Sequence, residues 1–184
     1  PDRLTHLRDL ETHLRSRLRG QDHVIGKAAA IFTRGEMGLV RRDKPRGTLL
    51  AVGPTGTGKT ELVLLAAQHL FGPGHVCRLD LSEFQRDDAL ERLLGTGASD
   101  DGAIGRYVPV PAPRVWLFDE LEKAHPKVFD LFIQLLEPGR LTLANTGSTT
   151  SPASTTSAPT LVAATARRVR TPALSQPWTR RISF

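Results

Sequence analysis

The eight residues GPTGTGKT, Gly53 to Thr60, constrain this chain more than anything else in it. They fit the pattern G-x-x-x-x-G-K-[ST], follow the short apolar run TLLAV, and precede the apolar helix-like run ELVLLAAQHLF. In such a loop the glycines let backbone N–H groups turn inward around phosphate oxygens, and the helix that follows adds the positive end of its dipole. Lys59 then supplies charge to the β- and γ-phosphates, and the Thr60 hydroxyl is available to Mg²⁺. A glycine-rich turn can arise by chance, but a strand before it and a helix after it make this a strand–loop–helix unit built for a nucleotide. The expected cradle is Gly53, Pro54, Thr55, Gly56, Thr57, Gly58, Lys59 and Thr60, with Glu61 next in the helix.

A nucleotide cradle needs acids to hold the metal and activate water. The run HVCRLDLSEF (75–84) reads as a strand, with Val76, Cys77, Leu79 and Leu81 apolar. Cys77 is most simply a small buried hydrophobe. Further on, RVWLFDELEKAHP gives a buried strand from Val115 to Phe118 that ends in Asp119-Glu120. Asp119 can hold the Mg²⁺ shell, and Glu120 can orient and deprotonate an attacking water. Two acids at a strand end are common alone; downstream of a phosphate loop they complete the layout of a P-loop ATPase sheet, an α/β fold.

Upstream, leucines at 4, 7, 10, 14 and 18 recur at steps of three and four residues, which places them on one face of a helix. A second helix-like run follows, with Val24, Ile25, Ala28, Ala29 and Phe32 available to pack and an end expected near Gly35 or Gly38. RRDKPRG reads as a polar turn before TLLAV.

The net charge of +6 resolves into unlike segments. Residues 1–48 carry eleven Lys/Arg against six Asp/Glu, residues 49–139 eight against thirteen, and residues 140–184 six arginines and no acid. The basic excess thus sits at the two ends with no recognised nucleic-acid motif, and no specific nucleic-acid partner is expected. One cysteine excludes a disulfide framework, and there is no signal pattern and no apolar run of spanning length, so the expectation is a cytoplasmic protein without a membrane partner.

GPTGTGKTEL, RLDLSEF, LFDELEKAHPKVFDLFIQLLEPGRLT and the upstream RGQDHVI together resemble the Clp-type AAA+ ATPases, specifically the second ATPase module of the disaggregases and unfoldases, over roughly residues 4–143. The resemblance implies a three-layer α/β/α P-loop fold with a parallel sheet. It also implies ATP and Mg²⁺ as cofactors, a hexameric ring of identical subunits, and hydrolysis coupled to pulling on protein substrates. By the same resemblance Lys59 and Thr60 serve phosphates and Mg²⁺, Asp119 the Mg²⁺ and Glu120 the catalytic base, while Gly20 and Gln21 lie near the adenine. His125 and Pro126 start the next helix, with Pro suited to its first turn.

Three departures from the family pattern bear on turnover. The segment from Leu94 to Phe118 is short where the family carries its pore loop; Tyr107, the only tyrosine, is expected to be a packed or exposed ring rather than a substitute. The family's sensor asparagine has no counterpart, because the only asparagine is Asn145; TLVAATA (160–166) reads as a strand, whose Thr165 could hydrogen-bond a water weakly in its place but is expected to be an ordinary strand residue. Phe184 precedes the expected arginine finger and helical lid, and no motif singles out Arg167, Arg168, Arg170, Arg180 or Arg181 as substitutes.

From Thr146 onward the chain has no Asp or Glu, many Ser and Thr, scattered Pro and Ala, and Arg as its only charged residue, a composition that fits an out-of-frame translation better than a linker. The expected organisation is an ATP-binding core over 1–145, with an N-terminal helix in 1–19 and an adenine-side helix and linker in 20–48. A disordered or out-of-frame tail over 146–184 would leave the fold incomplete at its C-terminal side and without the lid. Two functions remain open: an ATPase of protein remodelling with doubtful turnover, and a non-catalytic nucleotide-binding or assembly module or inactive remnant. Clamp loading and transcriptional activation are disfavoured by DELEKAHP.

Overall fold

The computed structural model describes residues 3–39, 45–96, 100, 102–107, 115–136, 141–142, 149–150 and 161–166. The leucine-spaced N-terminal run forms α1 (Arg3–Arg17), and the second helical run forms α2 (Asp22–Glu36). Leu10 and Leu14 of α1 are wholly buried and Leu7 and Leu18 partly so, whereas Leu4 is 65% exposed. The apolar stripe therefore reaches the core only from its second leucine onward. Ile25, Ala28, Ala29 and Phe32 of α2 are buried beside them.

TLLAV forms β1 (Thr48–Val52), and the phosphate-loop pattern leads into α3 (Lys59–Phe71). Then come β2 (Val76–Asp80), the short helices α4 (Ala89–Leu94) and α5 (Gly102–Gly105), β3 (Val115–Asp119) and α6 (Pro126–Leu136). Two residue pairs, β4 (Leu141–Thr142) and β5 (Thr149–Thr150), form an antiparallel ladder, and β6 (Leu161–Ala166) follows.

The main sheet is parallel, in the order β1-β6-β3-β2. One face is covered by α1, α2 and α3, whose buried side chains meet Leu49, Val115, Leu117 and Ala163. The other is covered by α4, α5 and α6, around Cys77, Leu79, Trp116, Phe118, Val162 and Ala164. This is the three-layer α/β/α arrangement, with strands buried on both faces as parallel sheets require.

The composition break at residue 145 does not mark the edge of the fold. Leu161–Ala166, assigned by composition to the tail, is an interior strand in register with Thr48–Val52 on one side and Val115–Phe118 on the other. Its small alternating side chains fit between two covered faces, a local property that composition over a long window averages away. Among the described residues β1 ends the sheet, with β6 as its one neighbour. No helix among them is long and apolar enough to cross a membrane.

Candidate functional site

Everything chemical gathers where β1 runs into α3. Gly56 and Gly58 have φ of +80° and +82°, a region that L side chains rarely adopt, and these two turns fold the loop back on itself. Gly58 is the residue at which α3 begins, and its carbonyl accepts the Leu62 N–H at 2.8 Å. The loop is braced from within: the Thr57 hydroxyl donates to the Pro54 carbonyl at 2.9 Å, and the Lys59 ammonium donates to the carbonyls of Gly53 and Pro54, each at 2.7 Å. Thr55 and Gly56 lie exposed at the apex, and Glu61 is exposed in the first turn of α3. The Gly53 N–H donates to the Ala166 carbonyl at 3.1 Å, so β6 anchors the start of the loop.

Asp119, at the end of β3, is 7% exposed. The Thr60 hydroxyl lies 3.0 Å from both of its carboxylate oxygens, Arg78 Nη2 donates to Oδ2 at 2.8 Å, and the Thr165 hydroxyl donates to Oδ1. Burial alone would raise the pKa of Asp119, but hydrogen bonds from Thr165, Thr60 and Arg78, together with the Arg78 charge, outweigh it and hold the group below the usual carboxylate value. Asp119 is therefore an ionised carboxylate aimed at the first turn of α3.

Glu120 follows with φ of 55° and ψ of 42°, the only non-glycine residue with positive φ among those described. A backbone held in this sparsely populated region costs about 1–3 kcal/mol and is a feature of functional sites. The Glu120 carboxylate pairs with Lys123 at 2.5 Å, and that hydrogen bond raises the pKa of Lys123. His125 accepts the Lys127 N–H through Nδ1 at 3.3 Å, at the start of the helix that Pro126 opens.

A cavity of about 220 Å³ opens beside the loop, lined by Gln21, His23 and Val24, by Ala51 to Pro54, and by Thr57 to Lys59 with Leu62. Gln21 thus borders the space next to the phosphate loop; Gly20, Thr60, Asp119 and Glu120 are not among its lining residues.

The family model for the AAA domain (Cdc48 subfamily) matches residues 44–173, which takes in the phosphate loop, Asp119-Glu120 and β6. The chain belongs to the Clp-type AAA+ ATPases. It is 39% identical over 142 residues to Heat shock protein 100 of Trypanosoma brucei brucei, a match covering 74% of this chain and 16% of that protein. With the ATP-dependent Clp protease ATP-binding subunit ClpE of Bacillus subtilis (strain 168) it shares 38% identity over 147 residues, 77% of this chain and 21% of the relative. With Chaperone protein ClpB of Clostridium perfringens (strain 13 / Type A) it shares 41% over 139 residues, 72% of this chain and 16% of the relative. The AAA+ chain thus spans about a fifth or less of the length of these relatives.

Four residues at the site do more than their sequence reading assigns them. Arg78 was passed over inside an apolar strand, although a lone charge in such a run is itself a signal. Thr165, taken as an ordinary strand residue, is buried and bonded to Asp119. His23 and Val24 were read only as helix residues, yet line the cavity. Tyr107 is 37% exposed. Asn145, the arginines at 167, 168, 170, 180 and 181, and residues 97–99, 101 and 108–114 of the segment expected to be short at the pore loop lie outside the described residues.

Proposed function

We propose that this AAA+ chain binds ATP with Mg²⁺ at the loop Gly53–Thr60, as the nucleotide-binding part of a ring-forming, protein-remodelling ATPase of the cytoplasm. The observation that carries the reading is the Thr60–Asp119 contact, which brings the hydroxyl after the loop lysine onto the strand-end carboxylate. The donor set suits a small hard cation, which prefers oxygen ligands and keeps waters and phosphate oxygens in its shell. No group of three or more His, Cys, Asp or Glu able to hold a metal occurs among the described residues, so the cation would come with the nucleotide. When bound, Mg²⁺ neutralises charge developing on the phosphates.

The chain's own residues would divide the work. Lys59 exchanges its two loop carbonyls for phosphate oxygens, and Asp119 with Thr60 holds the cation. Glu120 orients water and takes its proton. The 220 Å³ cavity is smaller than the roughly 300 Å³ at which enclosing ligand pockets begin, so it takes only part of the nucleotide, the base end, beside Gln21, His23 and Val24. Protein substrates and assembly into a ring of identical subunits are proposed by analogy with the Clp chaperones.

A second reading, binding without efficient turnover, is favoured by two contacts. The Glu120 carboxylate is engaged by Lys123, and the Thr165 hydroxyl near the end of β6 is engaged by Asp119. Phosphate release measured with Mg·ATP separates the readings. Release abolished by Glu120→Gln supports the enzyme; nucleotide binding with no release above the Glu120→Gln background supports the binding module.

A further inference from the structure

In β2 the exposed positions alternate with buried ones, and Cys77 and Leu79 enter the core on the α4–α6 side. Arg78 must therefore project from the opposite face, the one that carries α3 and the phosphate loop. The parallel register sets Arg78 beside Leu117 and Asp80 beside Asp119, so the Arg78 side chain reaches diagonally along β3 to Asp119 Oδ2 at 2.8 Å. The Arg78 side chain is 53% exposed, whereas the carboxylate it holds is buried.

The charges around that carboxylate are few. Lys59 is turned to the loop carbonyls, and Thr60 and Thr165 are neutral donors. Among the described residues Arg78 is the one cation paired with Asp119. A divalent cation approaching Asp119, directly or through a water, needs an acceptor position that Arg78 or Thr60 now fills. Two positive groups on one carboxylate repel each other, whereas a guanidinium on a half-exposed side chain can swing into solvent at little cost.

We propose that Arg78 is the place-holding counter-ion of the cation site. It keeps Asp119 aimed at Thr60 when no divalent cation is present, then yields Oδ2 to the cation, and so sets the Mg²⁺ concentration at which nucleotide binding saturates. Arg78 is a positioning residue that acts through Asp119, and the proposal rests on the nucleotide-binding reading above.

The test is a titration of Mg²⁺ into the full chain with a fluorescent ADP, for the wild type, Arg78→Gln and Arg78→Lys, beside melting curves in EDTA and in Mg²⁺. For Arg78→Gln the half-saturating Mg²⁺ should fall by about three- to tenfold, the scale of losing one partly buried ion pair. Its melting temperature should drop in EDTA and recover more in Mg²⁺ than that of the wild type. Arg78→Lys, which keeps the charge but loses the planar fork, should lie between, and it carries the test if the glutamine variant does not fold. An unchanged or raised half-saturating Mg²⁺, or equal losses of melting temperature in EDTA and Mg²⁺, overturns the counter-ion role while leaving nucleotide binding standing. A wild type that binds no fluorescent ADP under either condition overturns the nucleotide-binding reading and the Arg78 role with it.

Discussion

The Thr60 hydroxyl sits 3.0 Å from both carboxylate oxygens of Asp119, across 59 residues of sequence. The contact joins the first turn of α3 to the end of β3, and donors from β2 and β6 complete the grip on the same carboxylate. Asp119 is thus held by donors from three elements other than its own strand before any ligand arrives. Thr165→Val keeps the shape of the side chain and removes one of those donors. It should destabilise the fold by about 1.5–3 kcal/mol, the contribution of a hydrogen bond to a charged group, in urea unfolding at neutral pH. Because Asp119 titrates below its ordinary value in the fold, its contribution is present above the unfolded pKa and lost as pH falls through the folded one. The variant's deficit should therefore shrink below about pH 4.

Ala163 lies at the middle of β6, wholly buried between Leu49 and Leu117 in the core beneath α3. Ala163→Lys places an unpaired ammonium there, at a cost of several kcal/mol. The expected outcome is loss of the cooperative unfolding transition by circular dichroism. A variant that melts like the wild type would remove Leu161–Ala166 from the sheet.

How much of this was legible in the sequence depended on how local the signal was. The phosphate loop, β1, α3 and the β3 end with Asp119-Glu120 could all be read, because each joins a fixed motif to an apolar run of the right length. β6 was visible as a possible strand, yet it was assigned to a tail because the surrounding Ser, Thr, Pro and Arg outweighed its five apolar residues. Only the ladder partners on both sides, and the bond from Gly53 to Ala166, show that this stretch is central. Arg78 is not singled out in the sequence, and Thr165 is set down as an ordinary strand residue, for a related reason. Each lies on a different strand from Asp119, and strand order is not written in any one segment.

Glu120 is held with φ of 55°, a conformation natural to glycine and costly for a branched backbone. Glu120→Gly should leave stability unchanged or raise it by up to about 1 kcal/mol, since the lost pair with Lys123 is partly exposed and contributes little. Glu120→Gln, which keeps the strain, should not gain. Urea midpoints of the two variants make the comparison, and a glycine variant less stable than the glutamine one would argue against backbone strain.

His13 of α1 stacks on His69 of α3 with ring centroids 4.3 Å apart, and His6 lies 5.1 Å from the same ring. Burial, then His69 and Arg17, lower the pKa of His13. The unfolded chain therefore takes up a proton near pH 6.5 that the folded chain refuses, and stability falls as pH drops below that value. Melting temperatures measured between pH 7.5 and 5.5 should decline, and His13→Gln should flatten the decline. A slope unchanged by the substitution would place the pH dependence elsewhere.

The central claim is that Gly53–Thr60 is a working nucleotide cradle, and it is tested most directly by calorimetric titration of the full chain with ATP and Mg²⁺, for the wild type and for Lys59→Ala. Among the described residues the Lys59 ammonium meets two loop carbonyls, which it can exchange for phosphate oxygens. A charged hydrogen-bonding group of this kind contributes about 1.5–3 kcal/mol, so binding should weaken roughly 10- to 100-fold in the variant while its melting temperature stays near that of the wild type. Wild-type protein that gives no binding heat and no nucleotide-dependent rise in melting temperature, or a Lys59→Ala variant that binds as tightly, would contradict the account.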